Sequence, residues 1–237
     1  MKNNKKIKRL LIIPAKGKSN RIKNKNSKKF LGKPIINYSI VAAKKSRLFD
    51  KIHVSTDSKK IMNLCEKLKI DVPFYRKKSL SKDNVGLFDV YKNLVTYFSK
   101  NGEMFDEIWC LLPCSPLITD KDLNNLSYKI KKKEIKLPCI SVSKFPAPIE
   151  WSYSMSKSKK LYPVFKKKHI ISSKRFTQKF YDVGVLSVFT FSNFMKNNSI
   201  TINKKFYGFE LPWYKSTDID YLEDWQEAEV KFRLNKI

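Results

Sequence analysis

Lys16, Gly17, Ser19, Arg21 and Lys25 follow closely on an apolar run, Leu10-Leu11-Ile12-Ile13, that stops at Pro14. The run has the length and composition of a buried strand. The segment after it suits a polyanion. Ala15 is small, Gly17 lets backbone N–H groups turn toward phosphate oxygens, Ser19 adds a donor, and Lys16, Arg21 and Lys25 add charge. The spacing is neither a P-loop nor GxGxxG, so neither of those phosphate-binding mechanisms applies as written. A lysine-rich surface loop in a lysine-rich chain is the competing reading.

Near the other end stands Ser216-Thr217-Asp218-Ile219-Asp220. In an extended D-x-D both carboxylates face the same side. They repel unless a cation sits between them, and Mg²⁺ takes carboxylate and phosphate oxygens together. The alternative is an acidic helix start with Asp220 as N-cap. Between these ends lie Ser55-Thr56-Asp57, then Arg76 with Leu80-Ser81 beyond it. Each has a plain structural reading, with Asp57 as a helix cap and Arg76 as a surface cation. His53 falls inside a strand and reads as a core residue, and His169 as a solvated one.

The elements that must position these residues alternate along the chain. Strands are expected at residues 8–14, 51–56, 70–75, 107–113 and 138–143. Helices are expected at 35–45, 57–67, 87–98 and 119–132, the last opened by a capping box of Thr119 and Asp122. This β-α order predicts a parallel sheet covered on both faces, with ligands beyond the carboxyl ends of its strands. The polar loops then converge on one edge. From residue 144 the periodicity breaks down among Pro146, Pro148, Trp151, Tyr153 and Tyr162. A hairpin or protruding arm with a loop near 156–160 is expected there. Strands at 180–191 and 206–211 follow. A last helix at 221–234 is expected to turn Leu222, Trp225, Ala228 and Phe232 inward.

The 237 residues suit one α/β domain, and 42% hydrophobic content argues against disorder. The net charge of +29 allows nonspecific nucleic-acid binding. Its cations are nearly all Lys and scattered, with Arg only at 9, 21, 47, 76, 175 and 233, unlike a dedicated base reader. Cys65, Cys110, Cys114 and Cys139 sit in apolar settings without a matching ligand cluster, so buried thiols in a reduced, cytoplasmic protein are expected. No apolar run is long enough to span a membrane, residues 1–6 read as a basic tail, and the first apolar run is too short for a signal peptide.

The ordered series of motifs resembles the acylneuraminate cytidylyltransferases. Residues 13–26 stand where that family has IPARGGSKxIPxKN, with Lys16 for its Arg, Lys18 for its second Gly and Asn20 for its first Lys. DIDxxEDW at residues 218–225 is similar to the family's closing motif. Ser55-Thr56-Asp57 and Arg76-x-x-x-Leu80-Ser81 match its inner segments. Pro113 to Thr119 resembles QPTSPLR with Leu112 and Ile118 at its Gln and Arg positions, which is closer to the pseudaminic acid branch. Phe145-Pro146-Ala147-Pro148-Ile149 also points to that branch. Asp182-Val183-Gly184-Val185 stands at its D-A-G-Q segment without the Gln.

The resemblance implies a three-layer Rossmann-like nucleotidyltransferase fold with a mostly parallel central sheet and a small dimerisation arm at 145–178. It implies a cytidylyltransferase joining CTP to a nine-carbon acidic sugar. Lys16, Lys25, Asp218 and Asp220 are then the catalytic group. Ala15, Lys16, Gly17, Ser19, Arg21, Lys25, Asn26, Arg76 and Ser81 hold the nucleotide, and Asp218 and Asp220 hold Mg²⁺ or Mn²⁺. Ser115, Pro116, Asp182 and Gly184 face the sugar. Sialic acid, legionaminic acid and 3-deoxy-manno-octulosonate remain alternative acceptors. A non-enzymatic polyanion-binding protein is the alternative of another class.

Overall fold

The computed structural model of the chain describes residues 6–168, 170–196 and 205–235, so residues 1–5 and His169 lie outside the described residues. The strands are β1 (Arg9–Pro14), β2 (Lys29–Phe30), β3 (Lys33–Pro34), β4 (Lys51–Ser55), β5 (Glu107–Leu111), β6 (Cys139–Lys144), β7 (Tyr153–Met155), β8 (Leu161–Pro163), β9 (Phe180–Thr190) and β10 (Tyr207–Glu210). The helices are α1 (Ile36–Ser46), α2 (Lys59–Lys67), α3 (Leu87–Lys100), α4 (Asp120–Lys131), α5 (Phe191–Met195) and α6 (Leu222–Leu234).

Six strands form the central sheet in the order β10-β6-β9-β5-β1-β4. β9 runs antiparallel between β5 and β6, and the other pairings are parallel. The apolar run of β1 is buried on both faces, and its alternation divides it. Leu11 and Ile13 pack with Ile36 and Ile40 of α1, Ile61 of α2 and Leu123 of α4. Leu10 and Ile12 pack with Phe88, Tyr91, Leu94 and Phe98 of α3 and Phe194 of α5. Period-two side chains on a strand with helices above and below produce these three layers. The pair β7–β8 forms a small sheet of its own, at the place expected for the arm hairpin.

The capping box at α4 forms as expected, with Thr119 and Asp122 exchanging side-chain and backbone bonds. Residues 70–75, expected as a strand, are not one. Ile70 and Val72 are buried against the core, but Pro73 removes a donor, and the segment forms no ladder with the outer edge of β4. The amide of Arg76 instead donates to the Thr56 carbonyl at 2.6 Å, which brings Arg76 to the end of β4. Asp220 is not the N-cap of α6. Tyr221 occupies that position, and the Asp224 carboxylate accepts from the amides of both Asp220 (2.8 Å) and Tyr221 (2.7 Å). On α6, Trp225 and Ala228 are buried as expected, Phe232 packs partly buried against the same cluster, Leu222 is 52% exposed, and Lys231 is buried. No helix among the described residues is long and apolar enough to cross a membrane.

Candidate active site

A third apolar cluster ties the two ends of the chain together. Ile22 from the first loop, Cys114 beyond β5, Ile219, and Trp225 and Ala228 of α6 pack with Phe30 and Ile35. Ile219 is fully buried, worth roughly 2 kcal/mol by area. Alternation in the extended segment then directs its two neighbours, Asp218 and Asp220, away from this cluster.

The loop after β1 closes over them. Lys25 Nζ donates to the Ile219 carbonyl at 2.5 Å and reaches the Asp220 carboxylate at 3.2 Å. Arg21 pairs with Asp220 at 2.7 Å and lies 5.4 Å above the Tyr221 ring. Its hydrogen bond with Tyr221, followed by the Asp220 charge, holds the guanidinium above the usual arginine range. Among the described residues, Asp218 lacks such pairing. Burial, and then the negative charge of Asp220, push its carboxyl above the ordinary range, with Lys25 and Arg21 opposing the shift. Asp218 nevertheless presents itself to solvent, so the loss of hydration is partial.

The same loop is fixed from below. Ala15 donates its amide to the Ser55 carbonyl at 2.8 Å, and Gly17 donates to Asp57 at 2.7 Å. A Cβ on Gly17 would stand 2.7 Å from the Ser58 Cβ, so the close approach to the start of α2 requires glycine. Asn26 is buried, donates to the Lys16 carbonyl at 2.8 Å, and accepts from the Cys114 thiol at 3.2 Å. Its amide therefore clasps the loop. Burial pushes the Cys114 thiol up to about 12, so it serves as a donor and not as a thiolate. All four cysteines are buried and free, as expected.

Other predicted residues are placed differently. Lys16 points to Asp83 at 2.5 Å, and Asn20 donates to the same carboxylate at 2.7 Å. Hydrogen bonds from Lys16 and then Asn20 hold the Asp83 carboxyl below the usual range. Arg76 is buried, not a surface cation. It donates to the Ser55 hydroxyl at 3.0 Å and carbonyl at 2.6 Å, which anchors the end of β4. Ser19 and Ser81 are half-buried, and the Ser81 hydroxyl lies 3.5 Å from the Lys77 carbonyl.

Ser115 is buried, and its hydroxyl has no hydrogen-bond partner among the described residues. Pro116 turns instead toward a 470 Å³ cleft between α1 and α4, with Ile118, Asn37 and Phe232. Gly184 comes to Asp218 through an irregularity in β9, which Asp182 precedes. Four of its residues, 183–186, lie opposite Ser141 alone, between the pairs Ile140–Ser187 and Val142–Asp182. Asp182 accepts from the Gly184 amide at 2.8 Å, and Gly184 takes φ +74. A Cβ there would lie 3.6 Å from an Asp218 oxygen. His53 is buried as expected, stacked on Phe74 at 5.1 Å.

Among the described residues, no group of three or more His, Cys, Asp or Glu could hold a metal ion by itself. Two neighbouring carboxylates, one of them raised by burial and then by the charge of the other, fit a hard divalent cation that takes its remaining oxygens from a phosphate-bearing ligand.

The family described as cytidylyltransferase matches residues 10–237. This chain belongs to the cytidylyltransferase family. Its relatives include the pseudaminic acid cytidylyltransferase of Campylobacter jejuni, 30% identical over 97% of this chain and 98% of that protein. The CMP-N,N'-diacetyllegionaminic acid synthase of Legionella pneumophila is 30% identical over 62% of each chain. Among solved structures, a CMP:2-keto-3-deoxy-manno-octonic acid synthetase complexed with CTP shares the fold of this cytidylyltransferase. The TM-score is 0.68 at 15% identity, over 97% of this chain and all of that one. The three-layer nucleotidyltransferase fold expected from the resemblance is thus the one observed.

Proposed function

We infer that this cytidylyltransferase joins CTP to a nonulosonic acid, with a pseudaminic-type sugar as its preferred acceptor. The observation that carries the reading is the grip of Arg21 and Lys25 on Asp220, which unites the cationic loop and the acidic pair in one site. Similarity over nearly full length to a pseudaminic acid cytidylyltransferase supports the choice of sugar.

In the proposed reaction the anomeric hydroxyl of the sugar attacks the α-phosphorus. The bond from that phosphorus to the α,β-bridging oxygen breaks, pyrophosphate leaves with the electron pair, and the hydroxyl proton passes to solvent. Such a transfer needs alignment and charge neutralisation more than covalent assistance. Lys16, Arg21 and Lys25 would carry the triphosphate charge, with Ser19 and the backbone around Ala15 and Gly17 as further donors. Arg76 would serve the nucleotide by fixing the end of β4, beside Ser81. Ser115, whose hydroxyl is unspent, and the Asp182–Gly184 turn would meet the sugar. Asp218 and Asp220 would hold Mg²⁺ or Mn²⁺, which when bound supplies positive charge to phosphate oxygens.

Residues 145–178 would pair two copies, since Met155, Leu161, Val164 and Ile170 are 55–79% exposed there. Light scattering on the protein with Met155 and Leu161 changed to Asp checks this, with a fall from dimer to monomer expected. The function itself is tested by pyrophosphate release from CTP with Mg²⁺ across a panel of nonulosonic acids. Fastest turnover is expected with pseudaminic acid. Turnover with none of them would end the reading, and salt-sensitive binding to DNA in that case would favour a polyanion-binding protein.

A further inference from the structure

Lys231 is a lysine in the interior. It lies on α6 with 7% of its surface exposed, although the spacing of apolar residues gives it no inward role. Its ammonium donates to the Thr217 hydroxyl at 2.9 Å, pairs with Glu227 at 2.6 Å, and stands 5.5 Å over the Trp213 ring. Burying an ammonium is unfavourable unless such partners meet it. Thr217 is itself buried and immediately precedes Asp218. The residue before it is held as well, because the Tyr181 hydroxyl donates to Ser216 Oγ at 3.2 Å. Beyond Asp218, Ile219 is buried and its carbonyl takes Lys25. Among the described residues, Asp218 is thus the polar member of this run whose side chain forms no hydrogen bond or ion pair, and the backbone on both sides of it is clamped.

We propose that Lys231 is a positioning residue for the acidic pair: through Thr217 it fixes the backbone from which Asp218 reaches a divalent cation. The proposal rests on the function given above. Two carboxylates that repel each other capture a cation well only if their separation is set in advance, and ligand orientation is supplied by such supporting contacts. The Lys231 ammonium is engaged by Thr217 and Glu227, so its effect on Asp218 is carried by Thr217.

The test compares wild type with T217V, T217S, K231M and the double variant K231M/T217V. Pyrophosphate release is followed against Mg²⁺ concentration, and Mn²⁺ binding in the presence of CTP is followed by electron paramagnetic resonance. T217V and K231M are each expected to raise the Mg²⁺ needed for half-maximal rate about tenfold, by analogy with losses of other metal-supporting contacts. Mn²⁺ binding should weaken by a similar factor. T217S should follow wild type, and the double variant should be no worse than the poorer single one, as expected for two residues acting through one contact. Unchanged metal dependence in T217V and K231M, with only a lower thermal midpoint, would overturn the proposal. If K231M fails to fold, T217V carries the test alone, because it exchanges a hydroxyl for a methyl of similar size. A wild type that turns over no sugar, but whose Mn²⁺ binding weakens in T217V, would overturn the proposed function and leave the positioning role standing.

Discussion

One ammonium group, that of Lys25, holds both the carbonyl of Ile219 and the carboxylate of Asp220, joining positions 194 and 195 residues apart. This contact makes the site a product of tertiary structure, since neither end of the chain forms it alone. Lys25→Met should lower kcat/KM for pyrophosphate release roughly 10²- to 10³-fold, the usual effect of removing a preorganised charge from a polar transition state. Asp220 keeps Arg21 as a partner, so circular dichroism should report a folded protein.

Asp218 carries a stability cost that its substitution should reveal. Burial and the Asp220 charge raise its carboxyl in the folded state. A group whose folded value lies above its unfolded value favours folding at low pH, and loses that contribution as pH rises through the folded value. Asp218→Asn should therefore raise the thermal midpoint at pH 7, and the gain should shrink as pH falls. Turnover should be lost in the same protein. A variant less stable than wild type at pH 7 would contradict the repulsion described.

Gly17 should tolerate no side chain while Ser58 is present. Gly17→Ala forces a Cβ to within 2.7 Å of the Ser58 Cβ, so the loop must move and its bond to Asp57 loosen. Overpacking of this kind costs roughly 1–3 kcal/mol. KM for CTP should rise along with the loss of stability. Ser58→Gly in the same chain opens the space and should restore part of both, as read by denaturant midpoint and initial rates.

His53 should govern acid stability. Both of its ring nitrogens are buried without a hydrogen-bond partner among the described residues, and burial lowers its pKa to about 4. The unfolded chain takes up the proton near pH 6.5 and the folded chain near 4. Stability is thus present above 6.5 and is lost as pH falls toward 4, by up to roughly 3 kcal/mol. His53→Phe keeps a ring against Phe74 and Phe98 and cannot bind the proton. Urea midpoints should converge less steeply toward zero in this variant between pH 6.5 and 4 than in wild type.

The site's two ends are readable in the chain because their chemistry is local. Lys25, Asp218 and Asp220 declare charge and spacing, and Thr119 with Asp122 declares a cap. What depends on a distant partner is not readable. Lys231 looks like a solvated helix cation, and only the fold shows Thr217 waiting for it. Asp83 is an exposed acid in a polar segment, yet it takes both Lys16 and Asn20. Residues 70–75 read as a strand, but Pro73 interrupts them and they form no ladder with β4, the strand at that edge of the sheet. Arg76 reads as a nucleotide contact, and in the fold two of its donor positions face Ser55. In each case the deciding quantity is who stands opposite in space.

Where β9 spends four residues against one of β6, the ladder on that side opens. β5 still holds the same stretch from the other edge, through the Leu111–Leu186 pair and the Leu112 amide on the Val185 carbonyl. Gly184 lies in this opening beside Asp218. Any larger residue at that one position would put a side chain next to the carboxylate, while the ladder to β5 keeps the rest of the strand where it is.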